Sequence, residues 1–423
     1  MTTAAVFLVL LGLMSIRTSI AVALGLASLV GLWLSGISLE IVVQRMVSTN
    51  NSFPLLAIPF FILAGEIMST GGMSRRLVEF AGALVGHFRG GLGAVAVLSS
   101  SFFAALSGSN AATVAAIGGV MNEPMAEKGY RPSYTAATIA AAGVTGMIIP
   151  PSILLILYGV VTGVSIADLF IAGVGPGILI CLSLLILNWF LAKREAIETE
   201  PFKGGAEIWR TFRAAFRPLL MPVIILSGIY GGVFTPTEAA VVAVAYGLFV
   251  GLAFRELTLA GLYRAFGRAV ISSAVVMFIM NAAGVFAWLI TINQIPQSIS
   301  AYLAATAGSP IIYLLLVNVF LLFVGCLMNA AAAIVIFTSI LYPAAMAFGV
   351  DPVLFGIIIA VNLSIGTVTP PLGVDLFIAS AITKVSIERI VVAIWPYILV
   401  LVIDLLLITF VPPISTFLVR LIG

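Results

Sequence analysis

Two short polar clusters interrupt otherwise apolar runs in the first half of the chain. One is Ser107-Gly108-Ser109-Asn110, and the other is Gly143-Val144-Thr145-Gly146-Met147-Ile148-Ile149-Pro150-Pro151-Ser152. Proline removes a helix donor and glycine adopts angles that other residues resist, so both clusters break a helix and leave peptide oxygens unpaired. Both recur. Gly325-Cys326-Leu327-Met328-Asn329 repeats the first and 362–371, ending in Thr369-Pro370-Pro371, repeats the second. Adding 219 carries Asn110 onto Asn329 and Pro124 onto Pro343, and adding 220 carries Gly146 onto Gly366 and Pro150 and Pro151 onto Pro370 and Pro371. The chain reads as an internal duplication with its chemistry at matched places.

Half-helix ends supply that chemistry: carbonyl ends suit a cation and amide ends an anion. For sodium, a hard ion, oxygens are on offer from carbonyls near Gly143, Gly146, Gly325 and Gly366 and from the side chains of Ser107, Ser109, Asn110, Thr145, Asn329, Thr367 and Thr369. None of these stretches holds a carboxylate, which fits a monovalent ion better than calcium. The acids Glu66, Glu238, Asp375 and Asp404 lie in apolar surroundings and are candidate relays. Glu238, after Thr235-Pro236-Thr237, reads rather as a helix-capping partner, Asp404 as a helix–helix contact, and Asp375 is balanced between relay and contact. A polar tip taken alone could be small residues for close helix packing; its recurrence beside a second Pro-Pro break favours binding. His87 is the sole histidine and Cys181 and Cys326 sit in apolar segments, so a His-based metal cluster and a disulfide framework are excluded. Gly108 and Gly118-Gly119 are not phosphate loops, since no lysine follows. With no nucleophile beside a base, an enzyme is not expected.

The elements that must position these clusters are membrane helices. With 62% hydrophobic and 8% charged residues over 423, the chain cannot cover a soluble globule with polar surface. Apolar runs of about 20 residues without strand alternation predict an all-α polytopic fold. The run 6–34 is too long for a signal peptide. Residues 1–49 form N-terminal scaffold helices, with two short helices turning at Arg17. A first repeat spans 50–192: a crossing over 50–70 that ends at Gly71-Gly72, a hairpin at 91–126 with arms of roughly 15 residues, too short to cross, a broken helix at 133–163 and a crossing at 169–192. Residues 193–268 connect the repeats. Their loop 193–217 carries six Lys or Arg, with Trp209, Phe212 and Phe216 among Arg210, Arg213 and Arg217 in the pattern of a helix lying on the membrane. Spans at 219–233 and 237–254 and a basic loop at Arg255, Arg264 and Arg268 follow. The second repeat, 270–423, holds a hairpin at 310–347 and a broken helix at 353–383. Arg89, Lys128 and Arg131 flank the first hairpin and only Asp351 lies near the second, so the two enter from opposite faces, the first from the cytoplasm. That is an inverted repeat with two re-entrant hairpins and two broken helices, which places one site near the midplane.

With these residues in view the chain resembles, over essentially its whole length, the large membrane subunit of a tripartite ATP-independent periplasmic (TRAP) transporter. The likeness is carried in order by Ser107-Gly-Ser-Asn-Ala-Ala-Thr113, Pro150-Pro-Ser152, Gly232-Val-Phe-Thr-Pro-Thr-Glu-Ala239 and the stretch 362–373. The resemblance implies sodium-driven import of a small organic acid across the bacterial inner membrane by an elevator movement. The partners it implies are a periplasmic substrate-binding protein and a small four-helix membrane subunit, expected as a separate polypeptide because no extra helices precede residue 3. It places at least two sodium ions: one at Ser107, Ser109, Asn110, Gly143, Thr145, Gly146 and Pro150, the other at Gly325, Asn329, Gly366, Thr367, Thr369 and Pro370. The substrate cleft lies between them, with Ser107, Ser152 and Asn329 as polar contacts. Many relatives carry an acid and a threonine where this chain has Asn329 and Ala330 and a proline near Ser339, so the role of Asn329 and the identity of the acid stay open. The alternatives are a stand-alone ion-coupled dicarboxylate carrier, or a membrane channel or scaffold.

Overall fold

The computed structural model describes residues 2–16, 18–70, 72–195, 201–254, 256–299 and 308–422; Arg17, Gly71, Arg255 and the middle of the basic loop, 196–200, lie outside it. Among the described residues every regular element is helical, and eight helices are long and apolar enough to cross a bilayer.

All four interruptions are present. The first hairpin is Gly91–Ser107 and Asn110–Glu127, and the second is Pro310–Leu327 and Ala330–Ala347. Their arms of 17 or 18 residues exceed the expected 15. What turns the first one back is burial of its polar tip in protein, where Ser107 and Asn110 are 3% and 0% exposed. The first broken helix runs Pro132–Gly143, tightens to a 3-10 turn at Val144–Met147, and resumes as Ile153–Thr162. The second runs Pro352–Gly366 and resumes as Val374–Thr383. Both Pro-Pro bonds are cis.

The two copies pack reciprocally. The second arm of the first hairpin lies along Val374–Thr383, and the second arm of the second lies along Ile153–Thr162. Asn122 Nδ2 donates to the Ile382 carbonyl over 3.5 Å, so the second broken helix ends toward the base of the first hairpin. Tyr158 OH donates to the Pro352 carbonyl over 2.7 Å, so the first broken helix ends at the base of the second hairpin. Each broken helix thus reaches the other copy. A separate group of helices, Ile20–Leu34, Ala57–Thr70, Pro236–Ala253 and Leu259–Ile292, packs together alongside.

Three expectations are corrected. The aromatic-basic stretch is not a separate surface helix: Gly205–Tyr230 is one helix running from the arm into the crossing. Its arm docks on Met73–Val85, an amphipathic helix unforeseen in the loop after Gly72, where Phe212 meets Phe80 with ring centroids 5.6 Å apart. Thr211 and Ala215 on the arm are buried, as are Leu77 and Ala81 on the helix it packs against. Arg264 and Arg268 lie in no loop. They sit on Leu259–Ile292, capped at Thr258, whose hydroxyl accepts from the Gly261 amide. At 34 residues this helix is about 51 Å long and outreaches the hydrocarbon, which lets polar residues occupy its first turns. Helices Glu40–Asn50 and Pro413–Ile422 were not anticipated either.

The cap at Thr235 matches expectation. Its hydroxyl accepts from the Glu238 amide and Glu238 Oε2 accepts from the Thr235 amide, closing a capping box. Ser183 donates to Asp404 over 2.7 Å, joining two long helices.

A methyl at Gly366 would run into the Gly325 backbone, whereas one at Gly267 would meet open space. Gly366→Ala is expected to cost about 1–3 kcal/mol and lower the thermal midpoint in detergent, and Gly267→Ala to leave it unchanged or slightly raised.

Candidate functional site

The tips and breaks are assembled by local capping. Ser109 caps the helix after the first tip, accepting from the Ala112 amide. Ser152 caps Ile153–Thr162 through the Leu155 amide and donates to the Met147 carbonyl. Asn329 caps Ala330–Ala347, with Oδ1 2.9 Å from the Ala331 amide. These side chains satisfy amides that a broken helix would otherwise leave bare.

The first tip closes on the first break. A methyl at Gly146 would lie 2.5 Å from the Ser109 carbonyl oxygen, and one at Gly108 2.6 Å from that of Pro151, so only glycine permits this approach. Ser107 Oγ is 3.0 Å from Thr113 Oγ1, which donates to the Ser109 carbonyl over 2.8 Å. Gly143 abuts Val114 and the Asn110 carbonyl, Thr145 donates to the Ala142 carbonyl, and Pro150 is buried beside them. The second tip closes on the second break through Gly325 and Gly366, while Thr369 donates to the Ile365 carbonyl. This half is more open: Pro370 is half-buried and Asn329 exposed.

Residues expected at different ion sites touch across the two copies. Asn110, assigned to the first, donates through Nδ2 to Thr367 Oγ1 at 2.9 Å and toward the Ser364 carbonyl at 3.4 Å, both in the second break. Thr367 Oγ1 in turn lies 2.5 Å from Asp375 Oδ2 and 2.6 Å from the Ser364 carbonyl. Asp375 is 1% exposed and belongs to this cluster, one turn nearer the chemistry than its place after the Pro-Pro pair suggested.

A cavity of about 540 Å³ opens beside both tips. It is lined by Ser107, Ser109 and Asn329, and by the first residues of three helices: Ala111 and Ala112, Ile153 and Leu154, and Ala331. Helix amide ends carry partial positive charge, so three of them facing one space favour an anion. Arg268 lines the same cavity, with Nε 2.7 Å from Glu66 Oε2 and Nη2 2.9 Å from Thr70 Oγ1. A guanidinium has five N–H donors, so others remain for a ligand. Ser152 does not reach this wall: it is fully buried with its hydroxyl engaged inside the break. Arg268 and Asp375 are the residues that sequence reasoning left out of the site. An acid in an apolar run flagged Asp375, and nothing local flagged Arg268, whose partner lies 202 positions away.

A family model described as the DctM component of tripartite ATP-independent periplasmic transporters matches residues 7–414. The C4-dicarboxylate TRAP transporter large permease protein DctM of Pseudomonas aeruginosa is 42% identical over 372 residues, covering 88% of this chain and 87% of that protein. The isethionate TRAP transporter permease protein DctMQ of Oleidesulfovibrio alaskensis is 42% identical over 405 residues, 94% of this chain and 63% of that longer protein. Among solved structures, the YdaH transporter of Alcanivorax borkumensis superposes with a TM-score of 0.64 at 17% identity, covering 89% of this chain and 90% of that one, a likeness of fold alone.

The Asn110–Thr367 bond is the direct link between the copies at their centre. In a double-mutant cycle with Asn110→Ala and Thr367→Val, thermal unfolding should show a coupling of about 1 kcal/mol or more; strictly additive losses would mean that the contact does not join the two halves.

Proposed function

This chain belongs to the DctM component family of tripartite ATP-independent periplasmic transporters, and on that premise we propose that it is a sodium-coupled importer subunit for a small organic acid. It is a multi-pass protein of the bacterial inner membrane and not an enzyme. The family implies a periplasmic substrate-binding protein and a small membrane subunit as partners.

The observation that carries the reading is the convergence of three helix amide ends and Arg268 on one cavity beside oxygen-rich tips. The cavity takes the acid's anionic group, and Ser107, Ser109 and Asn329 supply polar contacts. Relatives are named for substrates as different as C4-dicarboxylates and isethionate, so anion recognition is the shared part and the particular acid is set elsewhere. Sodium ions bind at the carbonyl ends behind the tips, where the hydroxyls of Ser107, Thr145 and Thr369 and the Asn110 amide supply neutral oxygens. An ion there offsets negative charge that the acid brings to the same place, so each favours the other's binding and the pair crosses together.

The cavity runs from the tip past Ala115 and Ala116 to Arg268, along the second arm of the first hairpin toward its base. By the positive-inside distribution that base is read as the cytoplasmic one. The inverted repeat then supports alternating access: the hairpins and broken helices slide as a unit against the helices Ile20–Leu34, Ala57–Thr70, Pro236–Ala253 and Leu259–Ile292. A stand-alone carrier would work without the binding protein, and a channel would conduct without saturation.

In proteoliposomes with the partner proteins, uptake should require an inward sodium gradient and the substrate-binding protein; uptake driven as well by a proton gradient alone would overturn the ion assignment. Arg268→Gln should raise the KM for the acid about 10–100-fold, the worth of a hydrogen bond to a charged group, with half-saturating sodium little changed. If both constants move together, Arg268 braces the scaffold and does not meet the substrate.

A further inference from the structure

Asp375 is a buried polar group at the centre to which the assignments above give no role. It is buried at 1% exposure, and among the described residues no ion pair includes it. An ionised carboxylate in such a place needs a cation or several donors. The donors are few. The Thr367 hydroxyl carries a single proton and stands 2.5 Å from Asp375 Oδ2 and 2.6 Å from the Ser364 carbonyl oxygen, so it can serve only one of them at a time. The Asn110 amide nitrogen reaches Thr367 Oγ1 and the same carbonyl, and the Asn110 side chain also hydrogen-bonds the Asp375 carboxyl. The amide oxygen of Asn110, Oδ1, is wholly buried and has no partner, and the Ser364 hydroxyl oxygen is likewise buried and unpaired. Oxygen lone pairs therefore outnumber protons around one point, drawn from the first tip and both sides of the second break. That is the composition of a cation site and not of a closed hydrogen-bond network.

We propose that Asp375, the Thr367 hydroxyl, Asn110 Oδ1 and the Ser364 carbonyl form a monovalent-cation site that joins the first hairpin tip to the second break. Among the described residues no cluster of three or more His, Cys, Asp or Glu exists, so one negative charge with neutral oxygens selects a single positive charge over a divalent ion. The site is built by both copies at once, and none of its four residues lines the cavity that Ser107 and Ser109 line. An ion held there ties the two halves together before the acid arrives and neutralises a charge that would otherwise repel it.

The inference rests on the sodium-coupled reading, and the test separates the two. Purified wild-type chain and Asp375→Asn, which keeps the shape and the Thr367 contact, are titrated with sodium chloride by calorimetry, with choline chloride as the ionic control. The expected result is one sodium fewer bound by Asp375→Asn, and a half-saturating sodium for uptake raised at least about tenfold with a Hill coefficient lower by about one. Thr367→Val, which removes a neutral ligand and keeps the charge, should weaken the same site, read as smaller thermal stabilisation by sodium. Sodium binding by wild type that both variants match in number and affinity overturns this site alone. Wild type that binds no sodium overturns the coupling reading with it.

Discussion

Peptide groups cannot be left unpaired in hydrocarbon, and this constraint governs the centre of the molecule. Four helices stop or break in the apolar interior, and each end has to find partners inside the protein. The amide ends find them in Ser109, Ser152 and Asn329, and the carbonyl ends in the hydroxyls of Thr145, Thr367 and Thr369. Glycines at 108, 146, 325 and 366 let backbones approach closely enough to exclude lipid. Each tip thus depends on the break of its own copy, and through Asn110 the first depends on the second as well. Neither copy is complete without the other.

The tips and breaks are neutral and oxygen-rich, with charge at Arg268 and its partner Glu66 and at Asp375. Helix ends already carry partial charges, positive at the cavity and negative behind the tips, so little formal charge is needed to attract an acid on one side and a small cation on the other. Formal charges appear where selectivity has to be sharpened. Arg268 stands at the mouth of the anion cavity, held by Glu66 and Thr70 on the surrounding helices, and Asp375 stands behind the tip where the copies meet.

Much of this was legible because insertion into a membrane leaves strong marks. The duplicated offset located both tips and both Pro-Pro breaks, and the second hairpin fell at 310–347 as expected. Local signals sufficed for Thr235 and Glu238, since a capping box is written in four consecutive residues. Amphipathic pieces were harder. Met73–Val85 has no long apolar run, and its apolar face is covered both by the nearby Gly91–Ser107 and by the distant Gly205–Tyr230. The hydrogen bond between Asn110 and Thr367, and the presence of Arg268 and Ser107 on the wall of one cavity, are also products of tertiary packing. Ser152 shows the converse: it stands beside the break, but its hydroxyl is buried against the Met147 carbonyl and Ser152 is not among the residues lining the cavity.

The account as a whole claims that the oxygens at the tips and breaks exist to hold sodium. The most direct measurement is a pair of density maps of the purified complex, one in sodium and one in choline, at a resolution that shows individual ions. Compact density enclosed by the oxygens around Ser107 and Thr145, and around Gly366 and Thr369, present in sodium and absent in choline, is the result predicted. Identical maps in the two salts, with those oxygens paired to protein or water in both, would contradict it.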